Sequence, residues 1–215
     1  MKKNNYSLML SEGVVRAIDA EAARRGTNRS ALINRILAEY VSYVTPEMRA
    51  SQILENVLTT LGGAFRTDAE SETGITFTSS LAYRYNPTVR YSLELYRGGD
   101  RLGEIRVSMR SKNSGLLRLF EQFCICFARV EGRYLSGAEY AMRDGRFSRV
   151  LRLYKNDGIA DMLTLSELGA LVGEYIAMLD QSLKLYCRCR TDLLDAEGAV
   201  DECYRAYLSH VGILL

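Results

Sequence analysis

The sequence predicts an α+β chain in two parts, a small N-terminal unit of one strand and two helices and a larger C-terminal domain. Residues 6–40 read as one alternating run followed by two amphipathic helical runs. Residues 75–110 alternate apolar and polar side chains, as an antiparallel meander does, and residues 116–134 and 165–186 carry apolar side chains at helical spacing. At 215 residues and 47% apolar content the chain can bury a sizeable core in one or two domains. In the larger domain we expect the meander to pack against the long helices.

The first element is a short strand with two unlike faces. Large apolar side chains, Tyr6, Leu8 and Leu10, alternate there with mostly polar ones, Asn5, Ser7 and Met9. A single strand is not stable alone. This strand therefore needs a partner.

Two helices follow, and the second carries more apolar surface than the first can cover. Ser11 is a good N-cap for the first helix, Glu12 suits its first turn and Gly26 ends it. The first helix has apolar residues at a spacing of four: Val14, Ile18 and Ala22. After the N-cap Asn28, the second has a wider stripe: Leu32, Ile33, Ile36, Leu37, Tyr40, Val41 and Val44. Something further must cover this stripe.

Dimerisation with a second copy of the chain is the simplest way for so small a unit to bury this apolar stripe. A unit of about 45 residues is close to the size at which oligomerisation becomes necessary for stability. In a two-fold dimer the strands pair antiparallel and the second helices cross. The outer face of the ribbon then presents Asn5, Ser7 and Met9 twice, and such a ribbon fits the major groove of B-DNA.

The segments "LSEGVVRAIDAEAARRG" and "TNRSALINRILAEY" after a strand resemble the ribbon-helix-helix DNA-binding domain of bacterial repressors, the fold of the Met and Arc repressors. The resemblance covers residues 4–44, about a fifth of the chain. It implies base contacts from Asn5, Ser7 and Met9. It also implies phosphate contacts at the start of the second helix, with two lysines beside the ribbon: Asn28, Arg29, Ser30, Lys2 and Lys3. The family often has Arg, Lys, Thr or Gln on the ribbon; Met9 departs from this, and its side chain cannot donate to a base edge.

Beyond residue 45 the resemblance stops, and the organisation is predicted from composition and periodicity. We expect residues 1–45 to form the DNA-binding and dimerisation domain, 46–65 a connector helix and 75–215 the effector or interaction domain. The short acidic stretch 66–74 marks the boundary. A weak hairpin over residues 138–155 and a last helix around 196–211 complete the larger domain.

The exposed face of the meander is expected to carry both signs of charge: Arg84, Arg90, Arg106, Arg110, Glu94 and Glu104. A mixed-charge solvated face is the favoured interpretation, and a basic patch that holds a phosphate or a partner is the alternative.

Nothing in the sequence indicates an enzyme, a metal site or a cofactor. The cysteines at 124, 126, 187, 189 and 203 are expected to be reduced structural thiols, since neighbours two apart on a helix diverge and cannot meet on one ion. His210 is the only histidine and has no ligand-type partner nearby. No apolar run is long enough for a membrane span and no signal peptide is evident, so we expect a cytoplasmic protein without a membrane partner.

These observations predict a homodimeric transcriptional regulator, a repressor that binds double-stranded DNA, in bacteria. Residues 1–45 carry seven Lys or Arg against four Asp or Glu, a weak tilt towards an anionic partner. The second domain is expected to sense a small molecule or bind a protein, and whether dimers pair into tetramers on DNA stays open. The alternatives are an accessory protein of a plasmid or mobile element, acting in partition, relaxosome assembly or as an antitoxin, and a scaffold that uses the module only to dimerise.

Overall fold

The structure, a computed structural model, describes residues 7–82, 86–98, 100–153, 163–189 and 193–211. The helices in this part are α1 (Glu12–Arg24), α2 (Arg29–Tyr40), α3 (Pro46–Leu61), α4 (Ser114–Tyr134), α5 (Leu165–Arg188) and α6 (Leu193–Leu208). The strands are β1 (Arg66–Glu70), β2 (Gly74–Ser80), β3 (Thr88–Leu95), β4 (Gly103–Met109), β5 (Glu139–Arg143) and β6 (Arg146–Leu151). The chain divides into two compact units, Met1–Arg49 and Ala50–Leu215.

The smaller unit is a helix pair joined by a tight turn. Gly26, two residues after the end of α1, has φ +64°, a left-handed conformation that suits glycine. The Asn28 side chain then accepts a hydrogen bond from the amide of Ala31 at 2.9 Å and caps α2. Ser11 holds the N-cap position of α1, but its hydroxyl makes no capping hydrogen bond. Both predicted helices are therefore present.

The predicted N-terminal strand is not confirmed, because described residues 7–10 have no regular secondary structure and the smaller unit starts with a helix. Asn5 and Tyr6 lie outside the described residues. A β-strand forms only when its backbone is hydrogen-bonded to a neighbouring strand. The neighbour predicted for this segment is a second copy, which a single chain cannot supply.

The larger unit is α+β, with a six-stranded antiparallel sheet in the order β1-β2-β3-β4-β6-β5. One face of every central strand is buried in a core shared with the helices; for example, Tyr91, Ile105 and Phe147 are almost fully buried. The opposite face is polar and open along β3 and β4. The predicted meander, the hairpin and the long helices are thus confirmed.

The domain boundaries differ from those predicted. The helix that we expected to be a connector, α3, contributes a buried face to the core of the larger unit: Ala50, Ile53, Leu54, Val57 and Leu61. It packs tightly on α5, since a Cβ at Gly169 would lie 2.5 Å from Cβ of Asn56. The first five residues of the acidic stretch that we expected to be the boundary form β1, and all five are exposed. Composition could not distinguish a linker from a charged edge strand, because both are polar.

A buried ion pair joins α4 to β6 inside the core. Arg149 Nη2 lies 3.3 Å from Glu131 Oε1, and neither side chain is exposed. Tyr140 and Tyr204 donate their hydroxyl protons to the same carboxylate, and the guanidinium lies 5.3 Å from the ring centre of Tyr175. Strands β5 and β6 and helices α4, α5 and α6 therefore converge on one polar cluster.

The cysteines of α4 and the end of α5 are mostly core residues. Cys124, Cys126 and Cys187 are buried, while Cys189 and Cys203 are half-buried. Burial raises the pKa of the Cys124 thiol well above its ordinary value.

We expect Cys124 to react with a thiol reagent at neutral pH far more slowly than Cys189. A raised pKa leaves less of the reactive thiolate, and burial blocks the reagent. Timed alkylation followed by peptide mass spectrometry measures both rates in one sample. Cys124→Ala should cost roughly 1 kcal/mol of unfolding free energy. Equal labelling rates for the two thiols would show that Cys124 is not a core residue.

Within the described residues, no helix has both the length and the apolar character needed to cross a bilayer.

Candidate nucleic-acid interface

The smaller unit leaves much of its apolar surface uncovered. Between 42% and 87% of each of these side chains is exposed: Leu8, Leu10, Val14, Ile36, Leu37, Tyr40, Val41, Tyr43 and Val44. Within the predicted stripe of α2 only Leu32 is buried. Ile36, Leu37 and Tyr40 share one face of the helix, because residues three and four apart are neighbours. We call this face, with Ile33, the α2 apolar face.

Two of the three predicted base-contacting residues lie among the described residues. Ser7 and Met9 are exposed, and Met9 is fully so. Asn5, Lys2 and Lys3 lie outside the described part of the chain. The two side chains that can be placed are accessible, and the apolar Leu8 and Leu10 lie between and beside them.

Three of the five predicted phosphate-contacting residues lie at the start of α2, and all three are exposed: Asn28, Arg29 and Ser30. Asn28 uses its side-chain oxygen to cap the helix. The backbone amides of Arg29 and Ser30 lie in the first turn of α2, where no carbonyl of the helix can accept a hydrogen bond from them. Free backbone amides at the start of a helix can bind an anion.

Arg29 has a partner that the sequence did not indicate. Its Nε and Nη2 lie 2.6 Å and 2.5 Å from the two carboxylate oxygens of Asp19 on α1. The hydrogen bond from Arg29 lowers the pKa of Asp19, which therefore stays ionised. A phosphate that binds Arg29 must compete with this bidentate pair. Arg29 and Asp19 are ten residues apart on different helices, so no local sequence pattern indicates their contact.

The polar face of the meander is confirmed where it is described. Arg90 pairs with Ser108 and Ser92 with Arg106, so both arginines lie on one face. Glu94 and Glu104 are paired on that same face, and Arg106 contacts Glu104 at 2.5 Å. Arg110 is exposed just after β4, and Arg84 lies outside the described residues.

The larger unit also has a cleft of about 310 Å³ beside α5, lined by Ala64, Phe65, Ala177, Asp180, Gln181, Lys184, Leu185 and Arg188. Asp180 accepts a hydrogen bond from the Tyr91 hydroxyl at 2.8 Å and pairs with Lys184 at 2.6 Å. The volume of the cleft is near the lower limit for small-molecule sites.

Comparison of the chain with protein-family models, with curated proteins and with solved structures finds no match. The assignment of a function therefore depends on the residues themselves.

Proposed function

We propose that the protein is a homodimeric, sequence-specific DNA-binding protein of the ribbon-helix-helix type that acts as a transcriptional regulator. The observation that carries the proposal is the uncovered α2 apolar face together with the exposed Leu8 and Leu10. Surfaces of this kind on a small unit indicate a protein interface. In the proposed dimer, residues 5–10 of two copies pair as a ribbon, and the α2 helices cross beneath it.

The ribbon supports DNA binding through its outer face. Pairing that turns Leu8 and Leu10 inward turns Ser7 and Met9 outward, because neighbouring side chains on a strand point to opposite faces. A two-stranded ribbon enters the major groove, where base pairs are distinguishable. The start of α2 then supplies backbone amides for phosphate oxygens. The larger unit, with its cleft, is the proposed effector or interaction domain.

Replacing Ser7 or Asn5 with Ala should relax sequence preference. Removal of one good hydrogen bond to a base edge should cost about 1–3 kcal/mol on the preferred site and little on random duplex. The preferred site is first obtained by selection from a random duplex library with the full-length protein. Binding isotherms on that site and on a scrambled duplex then give the ratio of affinities. An unchanged ratio in both variants would contradict the ribbon as the base-contacting element.

Arg29→Ala should weaken binding to all duplexes alike and lower the salt dependence by about one unit. The matched variant is Asp19→Asn, which removes the competing carboxylate and leaves Arg29 in place. It should strengthen binding to random duplex at low salt, since the guanidinium no longer has to leave its partner. Isotherms at several salt concentrations measure both slopes. If the two variants behave alike, Arg29 serves the fold through Asp19 and does not contact phosphate.

A further inference from the structure

The open face of the larger unit's sheet carries a row of arginines that crosses the strands. Paired positions link Arg66 on β1 to Thr78, Thr78 to Arg90 on β3, Arg90 to Ser108 and Ser108 to Arg146 on β6. Arg146 in turn pairs with Arg143 on β5. Paired residues on neighbouring strands share a face. We call Arg66, Arg90, Arg146 and Arg143 the arginine row, and all four are exposed.

Positive charge is in excess at this end of the sheet. Arg110 and Lys112 follow β4 at the same end and are also exposed. Among the described residues only two carboxylates accompany these six cations: Asp68 in the bulge of β1 and Asp144 in the turn between β5 and β6. Asp68 is shared between Arg66 at 3.2 Å and Arg90 at 3.4 Å. Most of the cationic charge here is thus uncompensated within the described chain.

In a second copy of the chain, the acidic end of this face is a poor partner for the arginine row. The acidic end of the face is four residues from the arginine row, with Glu94 on β3 and Glu139 on β5. Glu104 on β4 is paired with Glu94. Glu104 already contacts Arg106, and Glu139 contacts Arg101 at 2.8 Å and Arg152 at 3.0 Å. Carboxylates that already have arginine partners are stabilised little by a further one. A second copy of the chain is therefore a weak complement for the arginine row.

We infer that the arginine row is a second DNA-binding surface, which holds the phosphate backbone of duplex DNA while the ribbon reads bases; this inference deepens the proposed function and rests on it. At a strand separation of about 4.8 Å the row spans roughly 24 Å, the rise of about seven nucleotides of one DNA strand. The partner is a repeating anion, because the cations are spread along the row and not gathered around one point. Ser108, between Arg90 and Arg146, adds a half-buried hydroxyl that can donate to a phosphate oxygen.

The chemistry of the face favours contact with the backbone over stacking on bases. On the described strands no aromatic side chain lies in the arginine row, since Phe77, Tyr91 and Phe147 are buried on the opposite face. The exposed Tyr96, just after β3, lies beside Glu104, away from the row. Single-stranded nucleic acids are typically held by aromatic side chains in addition to cations.

The test uses the full-length protein with Arg143→Gln and Arg146→Gln combined. The expected result is a salt dependence on random duplex that is lower by about two units, and an affinity at low salt that is roughly tenfold weaker. The ratio of preferred to random affinity should not change, because phosphate contacts carry no base information. The charge-retaining pair Arg143→Lys and Arg146→Lys should keep the salt dependence of the natural protein.

The matched control is Arg129→Gln with Arg205→Gln, which removes the same charge from exposed positions on α4 and α6. If the control lowers the salt dependence as much as the row variant, net charge alone acts and the inference is overturned. It is also overturned if the row variant binds duplex normally but has a reduced affinity for a single-stranded RNA of equal length. If the row variant has no effect while Ser7→Ala still changes the ratio of affinities, the arginine row does not bind DNA and the proposed function still stands. If the row variant lowers the salt dependence while Ser7→Ala has no effect, the arginine row binds DNA and the ribbon does not contact the bases.

Discussion

Replacing Ile36 with Asp is expected to convert the proposed dimer into monomers and to abolish the proposed DNA binding. Ile36 lies on the α2 apolar face and is 46% exposed in the single chain. In the proposed dimer this side chain is buried at the crossing of the two α2 helices. An unpaired carboxylate there is strongly unfavourable. A cost of about 4 kcal/mol weakens the dimer roughly a thousandfold.

Sedimentation of the full-length protein across a concentration series measures this change. The control is Asn34→Asp, which places the same charge on an exposed position of α2 outside the apolar stripe. Asn34→Asp should stay dimeric. A monomeric natural protein, or an Ile36→Asp variant that dimerises as tightly as the natural one, would contradict dimerisation through α2.

The second large effect is expected at the buried pair of Glu131 and Arg149. Replacing Arg149 with Met should lower the free energy of unfolding of the larger unit by about 3–5 kcal/mol, because Glu131 is left buried without its cationic partner. Glu131→Gln should have a comparable effect through the charge left on Arg149. The tyrosine hydroxyls of Tyr140 and Tyr204 partly stabilise the carboxylate, which places Arg149→Met at the lower end of that range.

The double variant separates the ion pair from simple packing. Glu131→Gln combined with Arg149→Met leaves no buried charge, so its cost should be smaller than the sum of the two single costs. Urea unfolding followed by circular dichroism gives all four free energies. The control is Arg133→Met on α4, the helix that also carries Glu131. Arg133 forms half-exposed ion pairs with Glu197 and Asp201 on α6, so its loss should have a small effect. Additive single costs would indicate that the two charges do not stabilise each other.

Local patterns predicted most of the elements of this fold. Alternation from Val89 to Leu95 and from Ile105 to Met109 predicted β3 and β4, and helical spacing predicted α4 and α5. These predictions succeeded because burial on one face imposes a period on neighbouring residues. The strand before Ser11 was not confirmed, since its predicted partner is another chain.

The same local patterns contain a signal for the buried pair. Glu131 lies four residues after Phe127 on the apolar stripe of α4. Arg149 alternates with Phe147 and Leu151 on the buried face of β6. A charged residue in the apolar phase of its element indicates a buried charge that needs a partner. The identity of the partner, however, depends on which strand and helix meet.

By itself the sequence determined the helices, the meander, the polarity of its two faces and the exposed α2 apolar face, because each depends on residues within a few positions of one another. Only the tertiary structure decided that β6 pairs with β4, which places Arg146 and Arg143 in one row with Arg90. Only the tertiary structure brought Arg29 to Asp19 and Arg149 to Glu131. Such contacts join residues that are distant in the chain, and their pairing is selected by the packing of the whole core, which no local period encodes.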